Sequence, residues 1–440
     1  MYQLLKHLLS NRFVRNVGWL GAAQLCIRVF RLATTVVLAK LLTPYDYGLA
    51  ALVLTTNEFV NVFTKNGIWA KLVQVEGGEL EEYCQTAYWA NWMVCGSLCV
   101  FQCLVAFPVA WFYRDRTVIL PICTMALTYL LLPVGLVHAS LIQRESRLEV
   151  SAVANAVQVS IDNLLTMLFA FFGLGMWAIV LPKVLVSPIW VGIHRWNHPW
   201  TPPETFTLAR WQGLFTFGRS IFGIEVLTTV RDYVDYLIVG SFVGIQALGH
   251  YYFAFNAGLG ISMSAIGAID LALYPHLCNA RSDSGKLRQV YLDSLKTIAW
   301  IIVPLVLLQS SLAPLYVPLV FGSQWIPTIP VLILICLSAL PRPFAKAASQ
   351  SLWLMDKPQV DMMWNLVFTI LFVVALLVGV QWDIFGVAAA VLLTHAIVLP
   401  IFTVTVSRQV LAAATSPVGE IFPVSPSPTV SETAEELRGI

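Results

Sequence analysis

Charged residues are scarce in this 440-residue chain: they make up 11% of it, against 58% hydrophobic residues. An average soluble domain carries about 25% charged residues, so this composition excludes an ordinary soluble globular protein. Mean hydropathy is +0.76, and the stretch 297–341 contains no charged residue at all. The basic residues are scattered through short segments, which excludes the clustered basic face of a nucleic-acid-binding protein. We therefore predict a polytopic membrane protein.

The chain also lacks the usual cysteine signatures. Its eight cysteines form no Cys-x-x-Cys pair and no histidine stands at metal-ligand spacing, so we predict no metal site and no cofactor. Cys95, Cys99 and Cys103 recur at every fourth position. We interpret them as small side chains that pack one helix against another, in preference to a thiol site.

A cleavable signal peptide is missing as well. Residues 1–16 have the pattern of a basic amphipathic helix on the cytoplasmic membrane surface. We expect the first membrane helix to act as an uncleaved signal.

Apolar runs between loop signals predict an all-α chain with twelve transmembrane helices, because about 20 helical residues cross a bilayer. The Gly- and Pro-containing segment 321–330 divides the uncharged stretch into two of these helices. The approximate bounds are 17–40, 47–70, 84–110, 118–142, 150–173, 175–196, 213–240, 246–275, 289–319, 327–353, 359–381 and 384–407.

Basic residues alternate between the two sides that these spans define, and the richer side is expected to be cytoplasmic. The poorer side carries only Lys40, Arg114 and Arg116. The richer side carries Lys6, Arg12, Arg15, Lys71, Arg144, Arg147, Arg195, Arg210, Arg281, Lys286, Arg288, Lys357 and Arg408. Both termini are therefore predicted to be cytoplasmic, and an even number of spans is favoured.

The longest inner loop, 197–212, lies midway and is predicted to link two six-helix bundles, 17–196 and 213–407. Residues 408–440 are rich in Pro, Ser, Thr and Glu, which is typical of a disordered cytoplasmic tail.

A weak internal repeat supports the two halves. Segments 37–52 and 237–253 both run from an apolar helix end, through a turn, to a glycine followed by aromatic and small residues. Gly48 and Gly249 occupy matching places in the two copies. Correspondence between halves is a common feature of transporters.

The same segments carry a family likeness. LAKLLTPYDYGLAAL (38–52), followed by NGIWAKLVQ (66–74), resembles the opening signature of the polysaccharide-transporter flippases. These belong to the multidrug/oligosaccharidyl-lipid/polysaccharide exporter superfamily. DYLIVGSFVGIQALGHYYFAFN (235–256) resembles the family's seventh-to-eighth helix segment, and FGSQWIPTIPVLILICL (321–337) its later Phe-Gly-x-x-Trp turn. The likeness covers roughly residues 14–407.

The resemblance implies two six-helix bundles that form a V around a central cavity lined by helices 1, 2, 7 and 8. It implies a flippase, not an enzyme, that exports lipid-linked oligosaccharide across the bacterial inner membrane by alternating access. The lipid carrier would be a polyprenyl diphosphate and the product a surface polysaccharide. Membrane lipids and other polysaccharide assembly proteins are the implied partners.

Arg28 and Arg31 lie inside the first predicted span, where one charge at the bilayer centre costs roughly 3 kcal/mol. They are three residues apart and so share one helical face. We expect that face to line a wet cavity or to meet an anion. Arginine suits a diphosphate because its planar fork donates two parallel hydrogen bonds.

The other intramembrane polar residues extend this hypothesis. Glu58, Asn61 and Lys65 are predicted to share one face of helix 2. The proposed substrate-binding residues are Arg28, Arg31, Asn57, Asn61, Lys65, Arg219 and Arg231. The carboxylates proposed to couple transport to protons or sodium ions are Glu58, Asp235 and Asp270, of which Asp235 has a recurrent counterpart in the family.

Structural alternatives stay open for several of these residues. Arg231 and Asp235 have the i, i+4 spacing of an internal ion pair, and Arg219 and Lys65 have side chains long enough to reach the membrane surface. Arg28 and Arg31 have Glu58 as a possible partner in the same bundle. Asp162 is a further carboxylate available for ion coupling, but for both Asp162 and Asp270 polar contacts with neighbouring helices are the favoured alternative.

Three rival functions are weighed against the flippase. An exporter of small cationic drugs from the same superfamily should have an acidic or apolar cavity, whereas helices 1 and 2 here carry basic residues. A membrane glycan polymerase or glycosyltransferase should carry an acidic motif in a sizeable outer loop, and every predicted outer loop is short. A peptidoglycan-precursor flippase should have extra helices beyond twelve.

Overall fold

The computed structural model describes residues 27–28, 30–65, 67–75, 77–278, 284–355 and 357–413, and regular secondary structure in these residues is entirely helical. The predicted amphipathic segment 1–16 lies outside them, as do residues 414–440 of the predicted tail. The last helix ends at Ala413, so residues 408–413 of that tail are helical.

The helices follow the apolar runs of the sequence. Their bounds are α1 (27–28 and 30–41), α2 (Pro44–Asn61), α3 (Ile68–Gln74), α4 (Leu80–Phe112), α5 (Ile119–Ala126), α6 (Thr128–Arg144), α7 (Leu148–Phe171), α8 (Trp177–Asn197), α9 (Trp211–Phe242), α10 (Ile245–Ala254), α11 (Gly260–Cys278), α12 (Ser284–Tyr316), α13 (Ile329–Leu337), α14 (Arg342–Leu354), α15 (Pro358–Gly379) and α16 (Asp383–Ala413). Where the structure describes them, the predicted spans coincide with one or two of these helices; residues 17–26 and 29 of the first span lie outside the described residues.

Within the described residues, seven helical stretches are long and apolar enough to cross a membrane. They are Leu80–Phe112, Arg116–Arg144, Glu149–Phe171, Trp177–Asn197, Gly285–Phe321, Ser323–Leu354 and Pro358–Leu411. The last of them contains two of the predicted spans. Helix α9 has sufficient length at 32 residues but carries five charged residues, which is why it falls outside this set. The chain is an all-helical, multi-pass membrane protein.

Contacts divide the chain into two compact units. The first contains the described residues up to Ala257, together with Ala313–Leu332 and Val373–Ala388. The second contains Gly258–Leu312, Ile333–Phe372 and the described residues from Ala389 onward. Every contact described below lies inside one of these units. The predicted division into bundles 17–196 and 213–407 stays a prediction.

The two glycines of the internal repeat meet at the crossing of α2 and α10, inside the first unit. A Cβ atom on Gly249 would lie 1.7 Å from the carbonyl oxygen of Pro44 and 2.9 Å from the amide nitrogen of Gly48. A Cβ atom on Gly48 would lie 1.9 Å from the carbonyl oxygen of Ile245. Only glycine allows two helix backbones to approach this closely.

The Phe-Gly-x-x-Trp turn packs beside this crossing. Trp325 is fully buried, and its ring stacks on Phe253 with 3.9 Å between centroids. Its Nε1 donates to the carbonyl oxygen of Ala39 at 2.8 Å, and the side-chain amide of Gln324 donates to the same oxygen at 2.6 Å. Ala39 lies in the last turn of α1, where carbonyls lack helical partners. The motif segments on α1, on α10 and in this turn therefore meet in one unit.

Turns predicted to lie on the outer side are also neighbours in the first unit. The Tyr45 hydroxyl donates a hydrogen bond to Asp115, and that bond is the main cause that raises the pKa of Tyr45 to about 12. Tyr113 and Ser241 share a hydrogen bond of 3.1 Å between their hydroxyls. These contacts agree with the prediction that the turns lie on a common side.

The cysteine stripe packs as predicted. Cys95 is buried in a cluster with Val60 and Tyr129, and Cys99 and Cys103 lie partly buried against the same cluster. This confirms that the stripe joins helix α4 to its neighbours.

The predicted linker is extended after α8 and is fixed to the first unit. His138 donates from Nε2 to the carbonyl oxygen of Trp200 at 3.0 Å, and Trp89 donates from Nε1 to the carbonyl oxygen of Thr205 at 2.9 Å. Arg210 then makes an ion pair with Glu82 at 2.8 Å. The linker therefore folds as part of this unit.

Candidate functional site

Helix α1 presents the two arginines that the sequence singled out. Arg31 is exposed and Arg28 is half-buried. Three residues after Arg31, the Thr34 hydroxyl donates to the carbonyl oxygen of Phe30 at 2.9 Å and lies 3.4 Å from the carbonyl oxygen of Asn163 on α7. Residues three apart lie on the same helical face, so the face that carries Arg31 packs against α7 next to Asp162.

Asp162 on α7 makes an ion pair with Lys183 on α8. Lys183 Nζ lies 3.3 Å from Asp162 Oδ2, with 36% of the lysine side chain and 17% of the aspartate side chain exposed. The predicted polar contact of Asp162 with a neighbouring helix is thereby confirmed. Lys183 was absent from the predicted site, although a single lysine in an otherwise apolar span was a signal for it.

Tyr252 on α10 joins this pair to helix α1. The Tyr252 hydroxyl shares a hydrogen bond with the Asn256 side chain and interacts electrostatically with Lys183, Arg31 and Asp162. The tyrosine ring packs against Tyr236, with 5.7 Å between ring centroids. We refer to Arg31, Asp162, Lys183 and Tyr252 as the Arg31–Lys183 cluster. It combines two cations, one carboxylate and one hydroxyl, drawn from four helices.

Helix α2 contributes a neighbouring polar face. Asn57 is buried, and its backbone oxygen accepts a hydrogen bond from the Tyr129 hydroxyl at 3.3 Å. Glu58 is half-buried and acts electrostatically on Tyr129 and on Tyr233 of α9. The Asn61 side-chain oxygen accepts from the Thr64 hydroxyl at 3.0 Å.

Lys65 does not share this helical face, and that part of the prediction is wrong. Helix α2 ends at Asn61, a 3₁₀ turn covers Val62–Thr64, and Gly67 adopts a positive φ of 77°. Lys65 therefore lies beyond the helix, where its ammonium is 3.5 Å from a carboxylate oxygen of Glu225 on α9. Spacing at i and i+7 aligns side chains only while the helix continues.

The basic residues of α9 lie in different surroundings. Arg219 is exposed. Arg231 Nε is 3.5 Å from Asp232 Oδ1 in a half-exposed ion pair. Pairs of this exposure contribute little to stability.

Asp235, also on α9, is 2% exposed. One carboxylate oxygen accepts from the Tyr251 hydroxyl at 2.9 Å, and the other accepts from the amide of Tyr236 at 2.9 Å. These bonds tie α9 to α10 beside the glycine crossing. Its suggested role as a coupling group stays a prediction.

Asp270 lies in the second unit, on α11. It is half-buried, and Lys346 on α14 attracts it electrostatically. Its Oδ1 atom is buried and has no hydrogen-bond partner among the described residues. The amide of Gln350 donates to its backbone oxygen at 3.2 Å. This carboxylate is a candidate for proton or cation binding within that unit alone.

The described residues contain no group of three or more His, Cys, Asp or Glu side chains that could hold a metal ion. The first unit carries two cations near one carboxylate, Arg31 and Lys183 near Asp162. Arginine and lysine together bind phosphate oxygens well, the arginine through its fork and the lysine as a point charge. Aromatic and amide groups nearby are suited to a glycan.

Comparison with known proteins places the chain in a family. A family model described as polysaccharide biosynthesis protein matches residues 37–330. The chain is 24% identical to the lipopolysaccharide biosynthesis protein WzxC of Escherichia coli (strain K12), over 85% of this chain and 76% of the relative. It is 21% identical to the teichuronic acid biosynthesis protein TuaB of Bacillus subtilis (strain 168), over 85% of this chain and 77% of the relative. The chain is also 24% identical to an uncharacterized membrane protein in the cps region of Klebsiella pneumoniae, over 88% of this chain and 81% of the relative.

Two solved structures share the fold. The lipid II flippase MurJ in an inward closed conformation superposes with a TM-score of 0.73 at 12% identity, covering 90% of each chain. An inward-facing multidrug resistance MATE family transporter superposes with a TM-score of 0.68 at 13% identity, covering 90% of this chain and 99% of the other. At these identities the likeness concerns the fold alone.

Proposed function

Because the chain belongs to the polysaccharide biosynthesis protein family, we propose that it is a flippase for lipid-linked oligosaccharide. It carries polyprenyl-diphosphate-linked units across the bacterial inner membrane, with both termini in the cytoplasm, and supplies the assembly of a surface polysaccharide. It does so by alternating access between two six-helix bundles that form a V. It is a transporter and catalyses no chemical step.

The observation that carries this proposal is the Arg31–Lys183 cluster. A sugar diphosphate must cross a low-dielectric slab, and each uncompensated charge is costly there. Fixed cations lower that cost if they lie at membrane depth and are reachable from water. Arg31 is exposed within the first predicted span, and Lys183 is partly exposed within Trp177–Asn197.

The cluster also argues against the rival transport function. A site for small organic cations needs net negative or apolar surroundings, since like charges repel. The Arg31–Lys183 cluster has two cations and one carboxylate and is therefore net positive. The fold shared with a MATE transporter is thus used here for an anionic headgroup. Proton or sodium coupling through Glu58, Asp235 or Asp270 is part of the proposal.

A strain that lacks this chain tests the function. We expect loss of its surface polysaccharide together with accumulation of complete lipid-linked units on the inner leaflet of the inner membrane. The measurement is extraction of the lipid-linked units, combined with a lectin that labels only the glycans exposed on spheroplasts.

The membrane leaflet in which the lipid-linked oligosaccharide accumulates distinguishes a flippase from the enzymes of the same pathway. Loss of a glycosyltransferase would leave the units incomplete, and loss of a polymerase would leave single complete units exposed on the outer face. Complete units exposed to the lectin at the wild-type level would contradict the flippase. Restoration of the strain with the wild-type chain is the control.

A further inference from the structure

We propose that Lys183 binds a phosphate group of the transported headgroup and that Asp162 is its exchangeable counterion. In the substrate-free protein Asp162 neutralises Lys183, and the diphosphate displaces it. Asp162 then recaptures the lysine when the headgroup leaves. This inference rests on the proposed function, because it assumes a lipid-linked diphosphate substrate.

Packing alone does not account for the pair. Both residues lie in stretches able to cross the membrane, Asp162 in Glu149–Phe171 and Lys183 in Trp177–Asn197. A buried ion pair replaced by apolar residues of similar size is often as stable or more stable. Ionisable residues inside membrane helices therefore point to function by default.

The pair is not saturated. Among the described residues Lys183 donates one hydrogen bond, to Asp162, although an ammonium group has three donors. The second carboxylate oxygen of Asp162 is buried and has no hydrogen-bond partner among the described residues. In a purely structural pair, a buried carboxylate oxygen would be expected to have a hydrogen-bond partner.

A second cation lies beside the pair. Thr34, one turn after Arg31, bonds to the residue after Asp162, and the Tyr252 hydroxyl lies within electrostatic range of Arg31, Lys183 and Asp162. A diphosphate has two phosphates, so an arginine fork and a lysine point charge match it in number and in chemistry.

Asp162 must release the Lys183 ammonium before a phosphate can bind it. While it holds Lys183, its own negative charge repels an incoming phosphate. Once the phosphate has replaced it, the same charge favours release of the headgroup. The pair thus keeps headgroup affinity moderate, which a carrier that turns over requires.

The test uses purified full-length protein in lipid nanodiscs, with undecaprenyl diphosphate as the probe and undecaprenol, which has no phosphate, as the reference ligand. The informative variant carries both Asp162→Asn and Lys183→Met, since it leaves no unpaired buried charge to disturb folding. We expect normal membrane levels of this double variant. Its binding of the diphosphate should be about 10- to 100-fold weaker, because one charge-assisted hydrogen-bonding group has been removed. Asp162→Asn alone should bind the diphosphate more tightly than wild type, because the competing carboxylate is gone.

The matched control removes an ion pair of similar geometry at an exposed position. Lys296 and Asp293 are 3.2 Å apart with side chains that are 73% and 56% exposed, and Asp293→Asn with Lys296→Met should leave binding unchanged. Wild-type binding of the diphosphate by the Asp162/Lys183 double variant would overturn the inference. A wild-type protein that does not prefer the diphosphate to undecaprenol would overturn the proposed function itself.

Discussion

Gly249→Ala is expected to remove most of the protein from the membrane. The new Cβ atom would lie 1.7 Å from the Pro44 carbonyl oxygen, and neither backbone can move without separating α2 from α10. Overpacking of a well-packed site typically costs about 1–3 kcal/mol, and contact with rigid backbone places this substitution at or above the upper end. We expect membrane levels at least tenfold lower, measured by immunoblot of the membrane fraction.

The matched control is Gly96→Ala on helix α4, where an added Cβ meets nothing within 4 Å. Helix propensity alone favours alanine over glycine by about 1 kcal/mol, so propensity predicts that both substitutions stabilise the protein. The close approach of α2 and α10 predicts that Gly249→Ala destabilises the protein and that Gly96→Ala stabilises it. Equal membrane levels and equal melting temperatures of the two variants in detergent would contradict the close approach of α2 and α10.

The combined substitution of Arg28→Ala and Arg31→Ala is expected to abolish surface polysaccharide while membrane levels stay normal. Arg31 is exposed and Arg28 is half-buried, so neither side chain fills a fully buried position whose loss would leave a cavity. Each arginine removed deprives a phosphate of a charge-assisted hydrogen bond worth about 1.5–3 kcal/mol, and the two together weaken binding more than 100-fold. The measurement is surface polysaccharide per unit of membrane protein in a complemented deletion strain.

Two arginines outside the predicted spans provide the control. Arg116→Ala combined with Arg408→Ala removes the same total charge from exposed positions and should leave export unchanged. Normal export by the Arg28/Arg31 variant would contradict the anion site. Loss of export by the control as well would mean that overall charge, and not the cluster, matters.

Hydropathy predicted the positions of the described helices well. Within the described residues the predicted spans coincide with helices, because the need to satisfy backbone hydrogen bonds in lipid makes long apolar runs helical. Hydropathy did not predict where these helices are interrupted. The break after Asn61 and the π-helical turn at Phe255–Leu259 depend on local hydrogen bonding, which an apolar count does not register.

The repeat predicted that Gly48 and Gly249 are equivalent, but equivalence in sequence does not reveal that two positions touch. Their contact belongs to the tertiary packing of α2 on α10. The same holds for Trp325, whose indole completes the hydrogen bonding of a helix end 286 residues away in sequence.

Only part of the candidate site could be predicted from the sequence. Arg31 could be found because a charge in an apolar span is costly and therefore conspicuous. Lys183 and Tyr252 could not be assigned to the same site, because their positions relative to Arg31 depend on how α1, α8 and α10 pack. The shared helical face of Glu58, Asn61 and Lys65 was predicted wrongly because helix α2 ends four residues before Lys65.

The most direct measurement of the central claim is translocation by the purified protein in liposomes. A fluorescent undecaprenyl-diphosphate oligosaccharide is reconstituted in both leaflets, and a membrane-impermeant quencher reports the fraction that reaches the outer leaflet. We predict that wild-type protein makes nearly all of the label accessible within minutes and that the Arg28/Arg31 variant leaves about half protected, the fraction set by the two leaflets. Wild-type protein that leaves the same fraction protected as protein-free liposomes would contradict the account.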